Sequence, residues 1–178
     1  MSSILAFAGS NSSTSVNFKL VKYTISQING HEVKLLNMAN HTFPMYSEDR
    51  EKQLGFPEAI VQMNTRIAVA DAVVISVNEH NGGASAYFKN LLDWLSRVDR
   101  NHLENTKVLL MSASPGGRGA IGALEYVKKA LPRVGADIVA TFSLPSFYTN
   151  FNEEKGIIDP ELSNAHTKAL KSFISELD

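Results

Sequence analysis

Ala72-Val73-Val74-Ile75-Ser76-Val77-Asn78-Glu79-His80-Asn81-Gly82-Gly83-Ala84-Ser85-Ala86-Tyr87-Phe88-Lys89-Asn90-Leu91-Leu92-Asp93-Trp94 is the stretch that decides the fold. Its first six residues are small or apolar and mostly β-branched, the pattern of a buried strand. A polar turn containing Gly82 and Gly83 follows, and then an amphipathic helix. Strand, glycine turn and helix form the repeating unit of a parallel α/β sheet. In such sheets ligands bind outside the carboxyl ends of the strands.

The same alternation runs outward in both directions. Ile4 to Ala8 is a short apolar run that stops at Gly9-Ser10 and reads as strand one. Val16, Leu20, Ile25 and Ile28 fall near one helical face over about 15–29, with Gly30 as the C-terminal stop. His31 to Leu36 alternates and supplies strand two. The stretch 37–56 is polar, carries Pro44 and Gly55, and reads as an irregular loop. A helix is expected over about 57–70 with Pro57 in its first turn. Strand three is 72–77, followed by helix three at about 84–97. Lys107 to Ala113 is strand four, and helix four spans about 122–134 with Pro132 ending or kinking it early. Strand five is 137–144, 145–159 is a loop, and a final helix covers 160–177. Five strands alternating with helices predict a doubly wound α/β sheet. With right-handed crossovers in a chain this short, the expected order is 2-1-3-4-5, a flavodoxin-like three-layer sandwich with residues 1–178 as a single domain.

Composition sets the outer bounds. At 178 residues the chain is large enough for a proper core, and 44% hydrophobic with 20% charged residues describes an ordinary globular protein. The absence of cysteine excludes a disulfide framework, thiolate metal ligands and a cysteine nucleophile together. A net charge of −1 gives no reason to expect nucleic acid or an anionic membrane. No apolar run approaches the roughly 20 residues of a spanning helix. Met1 to Gly9 lacks a basic stretch and reads as a strand rather than a signal peptide, so the expectation is a cytoplasmic protein. The five histidines (31, 41, 80, 102 and 166) show no ligand spacing, and no Gly-x-Ser-x-Gly elbow is present.

With order 2-1-3-4-5, the ends of strands one, three and four meet where the order reverses. After strand one, Gly9-Ser10-Asn11-Ser12-Ser13-Thr14-Ser15-Val16-Asn17 is almost entirely glycine, serine, threonine and asparagine and leads into a helix. It reads either as a phosphate nest at a helix N-terminus or as a capping box with a polar loop. After strand three, Asn78, Glu79, His80 and Asn81 can present backbone and amide groups to a flat heteroaromatic ring, with Gly82 allowing close approach. His80 either stacks on such a ring or simply faces solvent. Leu91, Trp94 and Leu95 lie at helical spacing and read as packing residues, and Lys89 with Asp93 reads as a surface pair. After strand four comes Ser114-Pro115-Gly116-Gly117-Arg118-Gly119. Gly117 to Gly122 also spells G-x-G-x-x-G, but Asp137 lies at the wrong end of the next strand for a dinucleotide site.

These motifs resemble those of the NADPH-dependent FMN reductase family. Gly9, Ser10, Ser15 and Asn17 match its Gly-Ser-x-Arg-x-x-Ser-x-Asn loop, with Ser12 in the arginine position. Glu79, Asn81, Gly82, Lys89, Asn90, Asp93 and Trp94 match its ring-binding segment, while Asn78, His80 and Ser85-Ala86 replace proline, tyrosine and Pro-Gly. Ser114 to Arg118 matches its third flavin loop. The resemblance implies FMN as cofactor, NADPH or NADH as co-substrate and a small-molecule electron acceptor. It places FMN contacts at Gly9, Ser10, Ser12, Ser15, Val16, Asn17, Asn78, Glu79, His80, Asn81, Gly82, Ser114, Pro115, Gly116, Gly117 and Arg118. Arg118 then either puts positive charge beside the N1 region of the ring or contacts a neighbouring subunit. The resemblance also implies a homodimer or homotetramer, with the helix-three region around Tyr87, Leu91 and Trp94 as the expected contact. Tyr46, Phe147 and Tyr148 sit in the long loops, either walling a substrate pocket or packing locally. Two rival readings are a one-electron flavodoxin-type carrier, which is usually far more acidic, and a related fold that binds no flavin and serves as an interaction module.

Overall fold

Five of the apolar runs pair into one parallel sheet in the computed structural model, which describes residues 1–177. The strands are β1 (Ser3–Ala8), β2 (Glu32–Leu36), β3 (Ala72–Val77), β4 (Lys107–Ala113) and β5 (Asp137–Leu144), in the spatial order β2-β1-β3-β4-β5. Alternation along the buried strands sorts the core into two layers. Leu5, Phe7, Val73, Ile75, Val108 and Leu110 face helices α3 (Glu58–Ala68), α4 (Ala86–Val98) and α5 (Ile121–Ala130). Ile4, Ala6, Val74, Leu109 and Met111 face α1 (Val16–Ile25) and the last helix, α6 (Pro160–Ile174). The expected flavodoxin-like three-layer arrangement is therefore the observed one. The registers Ala8↔Ser76 and Val77↔Ser112 bring the carboxyl ends of β1, β3 and β4 to one edge.

Several expectations need correction. Helix α1 ends at Ile25 rather than Asn29, because Ser26 Oγ and Gln27 Nε2 both donate to the Tyr23 carbonyl and the chain tightens into a turn. The stretch 37–56 is not wholly irregular. It holds a single 3₁₀ turn (Met38–Asn40) and a helix, α2 (Glu48–Leu54). Ser47 caps α2, and Glu48, Asp49 and Glu51 favour its first turn. Helix α2 buries no residue, so no apolar stripe announces it. Arg97 ties it to α4 through a bidentate pair with Glu51, at 2.9 and 3.1 Å. The stretch 145–159 contains a one-turn helix (Phe147–Asn150) and a small hairpin pairing Phe151–Asn152 with Gly156–Ile157. Pro132 ends α5 as expected, and the chain continues as a 3₁₀ turn. Pro57 precedes α3 as its N-cap instead of lying in its first turn.

The face expected to join subunits is covered by the chain itself. Leu91 and Trp94 are fully buried. The Trp94 indole and the Asn90 amide both donate to the Pro44 carbonyl, at 2.8 and 3.0 Å, and Tyr46 packs edge-on against Trp94. The Tyr87 hydroxyl lies 2.8 Å from the His41 carbonyl, and burial raises its pKa. Leu91 and Trp94 are thus internal packing, while Tyr87 is only partly buried. Lys89 and Asp93 pair on the surface at 2.6 Å. Among the described residues no helix is long and apolar enough to cross a membrane.

His166 on α6 is buried between the rings of Tyr23 and Phe142. Its Nε2 meets Thr24 Oγ1 at 2.8 Å, while Thr24 donates its own proton to Leu20 O. Nδ1, on the other side of the ring, is buried with no partner among the described residues. Burial pushes its pKa down to about 4. The folded state therefore binds fewer protons than the unfolded state between about pH 4 and 6.5. The contribution of His166 to stability is full above about pH 6.5 and falls as pH drops toward 4, on the order of 2 kcal/mol between pH 7 and pH 5, and His102, whose pKa burial also lowers, adds in the same direction. Urea unfolding of His166→Gln at both pH values should show a clearly smaller pH dependence; an unchanged difference would place the sensitivity elsewhere.

Candidate functional site

Asn17 holds the three strand ends together. It is fully buried at the start of α1. Its Oδ1 accepts from Ser76 Oγ at the end of β3 and from Ala113 N at the end of β4, both at 2.8 Å. Its Nδ2 donates to Ala113 O at 3.0 Å. The side chain is spent on the protein, so what Asn17 can offer a ligand is its backbone N–H.

Above this clamp lies a hydroxyl-rich turn. Ser15 caps α1 by accepting from Phe18 N at 3.2 Å, which leaves the N–H groups of Val16 and Asn17 without an acceptor among the described residues. Ser10 Oγ accepts from Ser12 N, and the Ser12 hydroxyl lies 3.2 Å from that of Thr14. The turn thus combines free N–H groups, hydroxyls and a helix dipole, the requirements of an anion site. Gly9 lies below it, fully buried, where a Cβ would come within 2.8 Å of Phe88. It is a packing position rather than part of the open surface.

After β3 the chain forms a hairpin that the loop reading missed. Glu79–His80 pairs with Gly83–Ala84 across a two-residue turn. Asn81 and Gly82 both have positive φ, 52° and 79°, as a type I′ turn demands. His80 is exposed, its Nε2 3.1 Å from Asn78 Nδ2, and Asn78 Oδ1 is buried without a donor. Glu79 Oε2 accepts from Ala123 N at 3.0 Å, capping α5, whose own N-cap residue Ala120 makes no side-chain bond. Ser85 caps α4 and donates to Gly9 O at 2.9 Å, fixing the hairpin's far end to β1.

The third loop is pinned from beneath. Ser112 Oγ and Ser143 Oγ both donate to Gly119 O, at 2.6 and 2.8 Å. Gly116 O accepts from Ser146 N, and Ser114 O from Phe147 N. The N–H groups of Gly116, Gly117 and Arg118 find no acceptor among the described residues and point from an exposed loop. Packing explains the G-x-G-x-x-G decoy. Gly119 has φ 61° with Ser143 Oγ where a Cβ would go, and a Cβ on Gly122 would sit 2.7 Å from Gly82 O. Asn81, Ala120 and Ser146, three of the four non-glycine residues with positive φ among those described, lie in or beside these loops. Such strain concentrates at functional sites.

The three ends enclose a cleft of about 220 Å³. Ser10, Ser12, Ser15, Val16, Asn17, Asn78, Glu79, His80, Ser114 and Pro115 line it, joined by Thr14 and Ala113, which the sequence did not single out. Asn81, Gly82, Gly116, Gly117 and Arg118 lie on the adjoining loop tips rather than in its lining, and Gly9 lies underneath. Larger clefts of about 340 and 430 Å³ occur elsewhere. Neither joins the strand ends, and the first is already bridged by a Lys19–Glu153 pair. Tyr46 and Phe147 pack locally, Phe147 stacking on Phe151, while Tyr148 is exposed.

The residues fit a flat cofactor with a terminal phosphate. Gly82 and Gly83 have open space where a Cβ would stand, and Gly116 and Gly117 have only a serine hydroxyl near it, at 3.8 and 4.0 Å. Fold and cleft together define a flavodoxin-like α/β protein with a hydroxyl-rich turn at a free helix N-terminus and two glycine-bearing loops at the switch point.

The chain belongs to the NADPH-dependent FMN reductase family, whose model matches residues 2–149. It is similar to a quinone reductase of Escherichia coli (strain K12), 29% identical over 118 residues that make up 66% of this chain and 60% of that protein. It is also similar to an NADPH azoreductase of Bacillus sp. (strain OY1-2), 31% identical over 121 residues, 67% of this chain and 63% of the relative. The chain thus spans about three fifths of the length of these curated relatives. In fold it resembles FerB, a flavoenzyme NAD(P)H:(acceptor) oxidoreductase from Paracoccus denitrificans, with a TM-score of 0.78 and 24% identity over 98% of this chain and 96% of that one.

Proposed function

We propose that this chain is an FMN-dependent NAD(P)H oxidoreductase that reduces a small acceptor such as a quinone, an azo compound, a metal oxyanion or free flavin. The carrying observation is the convergence of a free helix N-terminus and two open glycine-bearing loops on one strand-end cleft. In this reading the hydroxyls of Ser10, Ser12 and Ser15 and the N–H groups of Val16 and Asn17 hold the phosphate. Ser12, in place of the arginine of the family pattern, supplies a hydroxyl without charge. The N–H groups of Gly116, Gly117 and Arg118 border the polar edge of the ring, and His80 and Asn78 stand at its other side. Arg118, which forms no ion pair among the described residues, supplies positive charge where the ring gains electrons.

When bound, FMN supplies hydride acceptance from reduced nicotinamide and electron donation to the second substrate, so no protein acid or base is needed for the first half. The chain's part is to hold the phosphate, fix the ring edge and leave one face open. Because both substrates need that open face, they bind in turn. The relatives' names favour quinones and azo dyes as acceptors, and the cytoplasm, where reduced nicotinamides are held, is the proposed setting. Initial rates at several fixed quinone concentrations should give parallel double-reciprocal lines against NADPH. Intersecting lines would mean that both substrates sit on the protein together, against the single open face.

A further inference from the structure

The resemblance counts Glu79 among the ring contacts, but its carboxylate is committed elsewhere. We propose that Glu79 is a positioning residue, clamping the 79–84 hairpin onto the N-terminus of α5 and so fixing one side of the ring-binding cleft against the other. The proposal rests on the FMN reading of the cleft.

Three observations carry it. The hairpin has only two residue pairs, Glu79↔Ala84 and His80↔Gly83, too few to hold itself in place. Helix α5 begins at Ala120 in the left-handed region with no side-chain cap of its own, and Glu79 Oε2 supplies that cap at Ala123 N, 3.0 Å away. A carboxylate suits the positive end of a helix. Gly122 makes the approach possible, since a Cβ there would stand 2.7 Å from Gly82 O and 2.8 Å from Glu79 Oε2. The loop carrying Gly116, Gly117 and Arg118 runs directly into α5. With Ser85 holding the far end of the hairpin to Gly9 O, this hydrogen bond and the missing side chain at Gly122 fix its near end against α5, and so the spacing between the two loops that would border the ring. Without the clamp the hairpin would occupy its binding position for only a fraction of the time, and apparent affinity falls by that fraction.

The test compares Glu79→Ala, Glu79→Gln and Gly122→Ala in two measurements. Amide exchange over 80–84 in the cofactor-free protein reads the clamp alone. FMN titration followed by fluorescence quenching reads its effect on binding. Glu79→Ala and Gly122→Ala should both speed hairpin exchange and weaken FMN binding about tenfold. Glu79→Gln keeps an acceptor for Ala123 N and should stay within about twofold of wild type. Gly122→Ala is informative because helix propensity alone would make it stabilising. Wild-type FMN affinity in Glu79→Ala would overturn the proposal. So would Glu79→Gln that binds FMN as weakly as Glu79→Ala while its hairpin exchanges as in wild type, which would mean that the charge acts on the ligand and not through the clamp. If wild type binds no FMN, the FMN reading fails and the ring-positioning role falls with it. Exchange would then separately report whether the clamp exists.

Discussion

Ser15→Asp should weaken FMN binding about a hundredfold while leaving helix α1 intact. Ser15 is the N-cap of α1 and is mostly buried, 8% exposed, beside the free N–H groups of Val16 and Asn17. Aspartate caps a helix as well as serine does, so the fold keeps its bond to Phe18 N. What changes is charge. A carboxylate about 4 Å from a phosphate costs on the order of 4 kcal/mol per unit charge near a protein surface. The open cleft screens part of that, leaving roughly 3 kcal/mol, or about a hundredfold in affinity. Equilibrium titration with FMN measures the loss, and circular dichroism checks the helix. Unchanged affinity would put the phosphate somewhere other than this turn.

The second large effect falls on stability. Asn17→Leu should cost about 3–5 kcal/mol, because it strips partners from three buried groups at once: Ser76 Oγ, Ala113 N and Ala113 O. Leucine fills similar space, so the loss reports hydrogen bonding rather than a cavity. FMN affinity should fall with it, since the same side chain aligns α1 with the ends of β3 and β4. Urea unfolding gives the number, and a loss under about 1 kcal/mol would show that the strand ends hold their alignment without the clamp.

The sequence made the framework legible where both faces of an element are buried. β3 and β4 run over the residues expected from their apolar runs, because a strand covered by helices on both sides needs no polar face, and β5, an edge strand with only Phe142 and Leu144 buried, also keeps its expected bounds. The order β2-β1-β3-β4-β5 is the one that crossover handedness and chain length favour, though they do not dictate it. Helix α2 was hidden because it is held by a cap and by the Glu51–Arg97 pair rather than by apolar burial. The Asn81-Gly82 hairpin was legible in principle, since Asn-Gly is the strongest short hairpin signal, but its strands are too short to show alternation.

The cleft was legible as a set of loops, not as a set of roles. Ser10, Ser12 and Ser15 line the cleft with hydroxyls, as their motif suggested. Asn17 and Glu79 fit the same family pattern yet spend their side chains on the protein, with partners as far as 96 and 44 residues away. No local pattern can reveal such partners, because they meet only after the sheet has formed. Trp94 shows the converse. Its helical spacing marked it as packing, but only tertiary structure shows that Pro44 and Tyr46 cover it, so Trp94 itself cannot serve as a subunit contact.

In the proposed reaction a ring bound in this cleft takes electrons directly from a reduced nicotinamide. Its most direct test is anaerobic: load the purified chain with FMN, add NADPH or NADH, and follow the oxidised-flavin absorbance, then add a quinone. The absorbance should bleach with the nicotinamide and return with the quinone. If FMN binds but only a one-electron donor bleaches it, the chain is an electron carrier and the account is contradicted.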